Sequence, residues 1–297
     1  MNKIARISAL ATVEAGEVMA PRLVACPPSA ALTEVATLMS VHQVHAVVVE
    51  AGAPGLITAR DVVRAVLAGA TSAAEAVAGE PSAVSTYDTL QTVAERMVDD
   101  HVAHVLVRER GQGQVRGVVS SFDIAAVLAG HEPRAARIPR PAPARPAISV
   151  GRLDRHTVAD VMHRGVIACP ATAPLADVAA ALVERRTHTA MVAREGGWAF
   201  VTDMDVVAGA LRAEPAPTAG EMASRGLAKV RFDATLELAA SVVAESRAGH
   251  VVAVDGEGFP IGVVSTLDLV GVIAAGDVRS ASTPASGARR PATEVVA

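Results

Sequence analysis

With 297 residues the chain is long enough for two domains of ordinary size. Its formal net charge of −4, with both signs interspersed, excludes the basic footprint of a general nucleic-acid binder. Apolar residues make up 51% of the sequence but include only four Phe, one Tyr and one Trp, so the core must be assembled from small and β-branched side chains.

The N-terminal MNKIARISALATVEAGE has too short an apolar stretch for a secretory signal, and no run of about 18 apolar residues follows anywhere. A strand is expected around Leu23–Cys26. Leu32, Val35, Leu38 and Met39 then recur at helical spacing. HAVVV from His45 reads as a buried strand, Ala51–Pro54 as a turn, GLIT from Gly55 as a second strand, and 61–67 as a second helix. The expected element order is β-α-β-β-α.

That order returns three times. GLITARDVVRAVLAG from Gly55 is matched by GVVSSFDIAAVLAG from Gly117, AFVTDMDVVAGAL from Ala199 and GVVSTLDLVGVIAAG from Gly262. Each copy holds a hydroxyl three residues before an aspartate: Thr58/Asp61, Ser120/Asp123, Thr202/Asp205 and Ser265/Asp268. Successive aspartates are 62, 82 and 63 residues apart. The longer middle interval contains HEPRAARIPRPAPARPAISVG, whose five prolines read as a semi-rigid spacer.

The expected organisation is therefore a first pair over 8–130 (units of about 11–70 and 71–130), a linker over 131–151, a second pair over 152–276 (units of about 152–213 and 214–276) and a disordered tail over 277–297. Cys26 and Cys169 occupy one position of the duplicated pairs, so they read as buried apolar residues rather than a disulfide, which fits a reducing cytoplasm. The fold class expected is α/β (α+β), four units packed as two pseudo-twofold pairs.

Two readings of the Ser/Thr-x-x-Asp box compete. It is a capping box, sufficient by itself to start a helix. An acceptor-only carboxylate can also take both hydroxyl hydrogens of a ribose diol, beside a helix N-terminus suited to phosphate. His45, His104 and His250 stand immediately before the strand that follows the first helix, with His188 displaced by one residue. His42/His45 and His101/His104 form HxxH pairs, each crossing a helix-to-strand junction, and read as loop histidines rather than zinc ligands. No nucleophile elbow, P-loop, HExxH or dinucleotide glycine fingerprint is present, so a non-catalytic protein is expected.

Four boxes at matched spacing, each after a β-turn-β and opening a helix, resemble the CBS domain family, named for the regulatory region of cystathionine β-synthase. The resemblance covers about Val13 to Ala275. It implies paired units (Bateman modules) with ligand clefts between them for AMP, ADP, ATP or S-adenosylmethionine. Asp61, Asp123, Asp205 and Asp268 would hold the ribose, Thr58, Ser120, Thr202 and Ser265 the phosphate, with His45, His104 and His250 assisting at the phosphate. It also implies a regulatory protein, a homodimer through the pairs and an unidentified regulated partner; the cysteine count, charge and lack of a long apolar run add the expectation of a cytoplasmic protein that engages neither nucleic acid nor membrane. The third box departs from the pattern, Ala199 replacing the glycine of the other three. All four units lack the family's usual proline after the strand entrance, which leaves the adenine pocket undefined.

Overall fold

The computed structural model describes residues 10, 12–20, 23–109, 113–129, 153–195, 197–210, 216–224, 228–274 and 294–295. The linker expected over 131–151 lies outside them, as does the tail apart from its strand at 294–295.

The first repeat contains α1 (Ala15–Val18), β1 (Ala25–Cys26), α2 (Leu32–His42), β2 (Ala46–Val49), β3 (Gly55–Thr58) and α3 (Ala59–Leu67). The second contains α4 (Ala73–Ala76), β4 (Ala83–Ser85), α5 (Leu90–Asp99), β5 (His104–Arg108), β6 (Val115–Ser120) and α6 (Ser121–Leu128). The third has α7 (Val158–Val161), β7 (His163–Arg164), β8 (Ile167–Pro170), α8 (Leu175–Glu184), β9 (Thr189–Arg194), β10 (Gly197–Thr202) and α9 (Asp203–Gly209). The fourth has α10 (Ala219–Met222), β11 (Lys229–Arg231), α11 (Leu236–Ser246), β12 (His250–Val254), β13 (Pro260–Ser265) and α12 (Thr266–Ala274). The expected β-α-β-β-α order is found each time, preceded by a one-turn helix too short to be visible as periodicity.

Each repeat builds a small mixed sheet. The first strand pairs parallel with the second across a helical crossover, and the second and third form an antiparallel hairpin: β1-β2-β3, β4-β5-β6, β8-β9-β10 and β11-β12-β13. Two sheets gain a fourth strand. β7 pairs antiparallel with β13, and β14 (Glu294–Val295) pairs parallel with β8. Residues 294–295, expected within a disordered tail, instead form a strand paired along the edge of β8.

The chain forms two compact units, and each combines alternate repeats. The even unit comprises the described residues of Met1–Arg22, Ser82–Arg164 and Ala228–Pro291, and so holds the bodies of repeats two and four. The odd unit comprises those of Leu23–Pro81, Gly165–Leu227 and Ala292–Ala297, the bodies of repeats one and three. What consecutive repeats share is an exchange of opening segments. The N–H groups of Ala15 and Gly16 donate to Asp88 and Thr86 carbonyls of repeat two, and those of Ala73 and Ala74 to Ala30 and Pro28 of repeat one. Repeats three and four exchange likewise, through Val158 to Ala234 and Ala219 to Ala173.

Helices build both cores. In the even unit Leu90, Val93, Ala94 and Met97 of α5, Ile124 and Ala125 of α6, Leu236 and Ala239 of α11 and Leu269 of α12 are fully buried. In the odd unit Val35 and Met39 of α2, Val62 of α3, Val178 of α8 and Val207 of α9 play the same part. Each large aliphatic side chain so buried contributes about 1.5–3 kcal/mol, and the interspersed alanines bring the helices close. Cys26 and Cys169 are buried in the odd core, and burial pushes both thiols up in pKa, away from reactivity.

Candidate functional site

The hairpin of each repeat delivers its box to the start of the following helix. In all four boxes the hydroxyl residue is the N-cap, and its backbone N–H donates to the aspartate Oδ2 at 2.9, 2.8, 2.8 and 2.7 Å for Thr58, Ser120, Thr202 and Ser265. The hydroxyl donates to the same oxygen at 2.6, 2.6, 2.7 and 2.7 Å. In return each aspartate N–H donates to the hydroxyl oxygen at 3.2–3.3 Å. Each box is thus a closed capping box, and it is the carboxylate's other oxygen, Oδ1, that distinguishes the four.

At the first box Asp61 Oδ1 is paired with Arg64, one turn along α3. Arg60, the residue before Asp61, is directed to the third repeat, where its Nη2 donates to the Thr187 carbonyl at 3.2 Å. At the fourth box Asp268 Oδ1 lies 3.1 Å from Nε2 of His163, which β7 brings from the third repeat's opening segment. His163 and Asp268 line an open recess of about 450 Å³ with His101, Leu267 and Gly271.

The charges follow these contacts. Burial alone would raise the Asp268 carboxyl, but the His163 imidazole and the Ser265 hydroxyl and N–H hold it below the usual range. The hydrogen bond it donates to Asp268 lifts His163 above its ordinary value, against the effect of burial. At the third box burial pushes Asp205 up, outweighing the Thr202 hydrogen bonds, and Asp203 adds like-charge repulsion. Asp203 is itself buried, with its Oδ2 2.7 Å from His188 Nδ1.

Strand register corrects the alignment of the histidines. His104 pairs with Ser120 and His250 with Ser265, but Thr58 pairs with Ala46 and Thr202 with Thr189. His104 and His250 therefore share one position, directly across from the box. His45 falls one residue earlier, where its carbonyl accepts from Ala59, as that of His188 accepts from Asp203. The same shift puts the two HxxH pairs out of register, and no cluster of three metal-ligating side chains exists among the described residues.

Register also reveals a position that the sequence pattern hid. Gln43, His101, Arg186 and Arg247 follow the first helix of their repeats at one equivalent site, and all four are left-handed, with φ of 52–54°. His101 belongs to repeat two yet faces the box of repeat four, and the strand entrance of repeat three that receives Arg60 begins beside Arg186. At two of the three boxes that open on glycine, the missing side chain makes room for backbone. A Cβ on Gly117 would meet the Ala20 carbonyl at 2.8 Å, and one on Gly262 the His163 carbonyl at 2.7 Å. Both contacts are to exchanged opening segments. Ala199, fully buried, already carries that Cβ in repeat three.

The sequence profile of the CBS domain matches residues 15–68, 75–130, 158–209 and 219–275, one match to each repeat. The chain belongs to the CBS domain family. Among curated proteins none matches it in sequence. A putative archaeal homologue of the AMPK γ subunit from Methanocaldococcus jannaschii superposes with a TM-score of 0.68 at 15% identity, over 87% of this chain and 99% of its own. An uncharacterized conserved protein from Pyrococcus horikoshii gives 0.57 at 18% identity, over 88% and 100%. A CBS domain protein from Pyrobaculum aerophilum, solved in complex with AMP, is 26% identical over 37% of this chain and 89% of its own, with a TM-score of 0.35. The first two likenesses extend across all four CBS repeats and concern the fold. Among the described residues no helix is long and apolar enough to cross a membrane.

Proposed function

We propose that this CBS protein is a non-catalytic regulatory sensor whose box edges bind adenosine-containing ligands, AMP, ADP, ATP or S-adenosylmethionine. The observation that carries the reading is the fourfold repetition of one chemistry: a part-buried carboxylate on the first turn of a helix, set beside a hydroxyl at the helix's positive N-terminal end. Asp61, Asp123, Asp205 and Asp268 would accept from a ribose diol, and Thr58, Ser120, Thr202 and Ser265 would turn from their aspartates to phosphate. His104 and His250, across from the box hydroxyl, would assist at the phosphate, with His45 one residue away. Binding would change the affinity of a regulated partner or of a second copy of the chain.

One observation favours a second reading. Every box hydroxyl and every Oδ2 already has its partner within the box, so the boxes could serve as helix caps in a ligand-free interaction scaffold. Thermal unfolding with adenosine, AMP, ATP and S-adenosylmethionine separates the two. A binder is stabilised by about 2.7 kcal/mol at a hundredfold excess of ligand over Kd. Unchanged melting with all four ligands would leave the scaffold reading. Trp198, next to the third box, reports that edge by fluorescence.

A further inference from the structure

The four edges carry the same box but unequal positive charge, and the first stands apart. Arg60 and Arg64 flank Asp61 on α3, where the fourth repeat has Leu267 and Gly271 and the second has Phe122 and Ala126. From the other repeat of the odd unit comes Arg186, exposed and held in a left-handed conformation. The bond from Arg60 to the Thr187 carbonyl anchors the Arg60 guanidinium at the backbone next to Arg186, close enough for the two positive charges to act on each other. Arg186 makes no ion pair among the described residues. The position of Arg186 is held by His101 opposite the fourth repeat's edge, by the neutral Gln43 opposite the third and by Arg247 opposite the second, whose helix has Phe122 and Ala126 in place of Arg60 and Arg64.

We propose that the first repeat's edge is the one that takes a polyphosphate chain, with Arg60, Arg64 and Arg186 as the residues that select for multiple negative charge. Planar guanidinium groups bind phosphate oxygens in pairs, and each of the three retains donors for an anion beyond its present contacts. Burial depresses the Arg60 guanidinium; Asp203 and Asp61 oppose this, while Arg64 and Arg186 add to it. A bound polyanion removes that like-charge crowding. For the adenosine portion of the ligand the inference rests on the function proposed above; the charge preference stands on the arginines alone.

The test uses inorganic tripolyphosphate, which has no nucleoside, in calorimetric titrations of the full chain at low salt. Wild type is expected to bind it, with an affinity that falls as salt rises. Arg186→Gln, which installs the residue of the equivalent position in repeat one, and Arg60→Gln should each weaken binding at least tenfold. Arg231→Gln, an exposed arginine paired with Asp233 in the even unit, should leave it unchanged. No binding of tripolyphosphate, or equal binding by wild type and the two odd-unit variants, overturns the proposal. Thermal unfolding of each variant checks that loss of binding is not loss of fold. Uncharged adenosine, titrated in parallel, tests the nucleoside reading separately, because its binding does not involve the arginines.

Discussion

At the first residue of the helix that follows the box, the even unit places Ser121 and Thr266, whose buried hydroxyls meet at 2.7 Å. The odd unit places Ala59 and Asp203 there, and surrounds them with Arg60 and His188. The hairpins, the caps and the helix packing are the same on both sides. A duplicated framework therefore leaves the centre of each unit free to diverge, neutral in one and ionic in the other. The framework follows from backbone pairing and alanine-rich helix faces, which are indifferent to what fills this position. Chemistry at the boxes is set by the few residues that differ: Arg60 against Leu267, Arg186 against His101, and His163, which only the fourth box receives.

The largest expected effects break the framework itself. Gly117→Ala and Gly262→Ala drive a Cβ into the backbone of an exchanged segment, at 2.8 and 2.7 Å, and should cost roughly 1–3 kcal/mol each. Gly55→Ala meets only the Val77 side chain, at 3.0 Å, and should cost less. Denaturant unfolding of the three variants gives the order. If Gly55→Ala is the most destabilised, the exchanged segments are not what the glycine accommodates.

Next comes the centre of the even unit. Ser121→Ala strands the Thr266 hydroxyl in a buried site and should cost about 1–3 kcal/mol, whereas Ser121→Ala with Thr266→Val removes both partners and should recover part of that loss. A double-mutant cycle measures the difference. Strictly additive losses would show that the two hydroxyls do not depend on each other, and the contrast between the units would then lie in charge alone.

Periodicity made the helices legible, and alternation with turn residues made the hairpins legible, because both depend on local spacing. The boxes were legible because four copies lay at one spacing. Three things were not. The opening one-turn helices are shorter than any period, so their exchange between consecutive repeats left no trace in the pattern. The grouping of alternate repeats depends on which helix face meets which, and Leu32–His42 is apolar on more than one side. The histidines were aligned by counting from the apolar run HAVVV, and the hairpin register, Ala46 to Thr58 against His104 to Ser120, moves His45 by one residue. Arg60 and Arg64 stood in plain view in TARDVVR, yet their importance depends on Arg186, which is 122 residues from Arg64 in sequence and comes close only through folding.

The smallest effect sharpens the comparison by pH. His163 has a raised pKa, so its pairing with Asp268 stabilises the even unit fully below the ordinary histidine value of about 6.5 and is lost as pH rises through the raised value. Asp268 has a depressed pKa, so its share is present above the ordinary carboxylate value of about 3.9 and is lost as pH falls through the depressed one. Asp205 in the odd unit runs the other way: its pKa is raised, so its contribution improves on acidification. The His163 side chain is 77% exposed, which limits the pair to well under about 1 kcal/mol. The difference in melting temperature between wild type and His163→Ala should be greatest near pH 5.5 and should shrink toward pH 8.5. A difference that stays constant across that range would mean that the imidazole does not pair with Asp268 in solution. The Oδ1 atom of the fourth box would then be open to a ligand, and the even unit would lose the feature that most separates its box from the arginine-flanked box of the odd one.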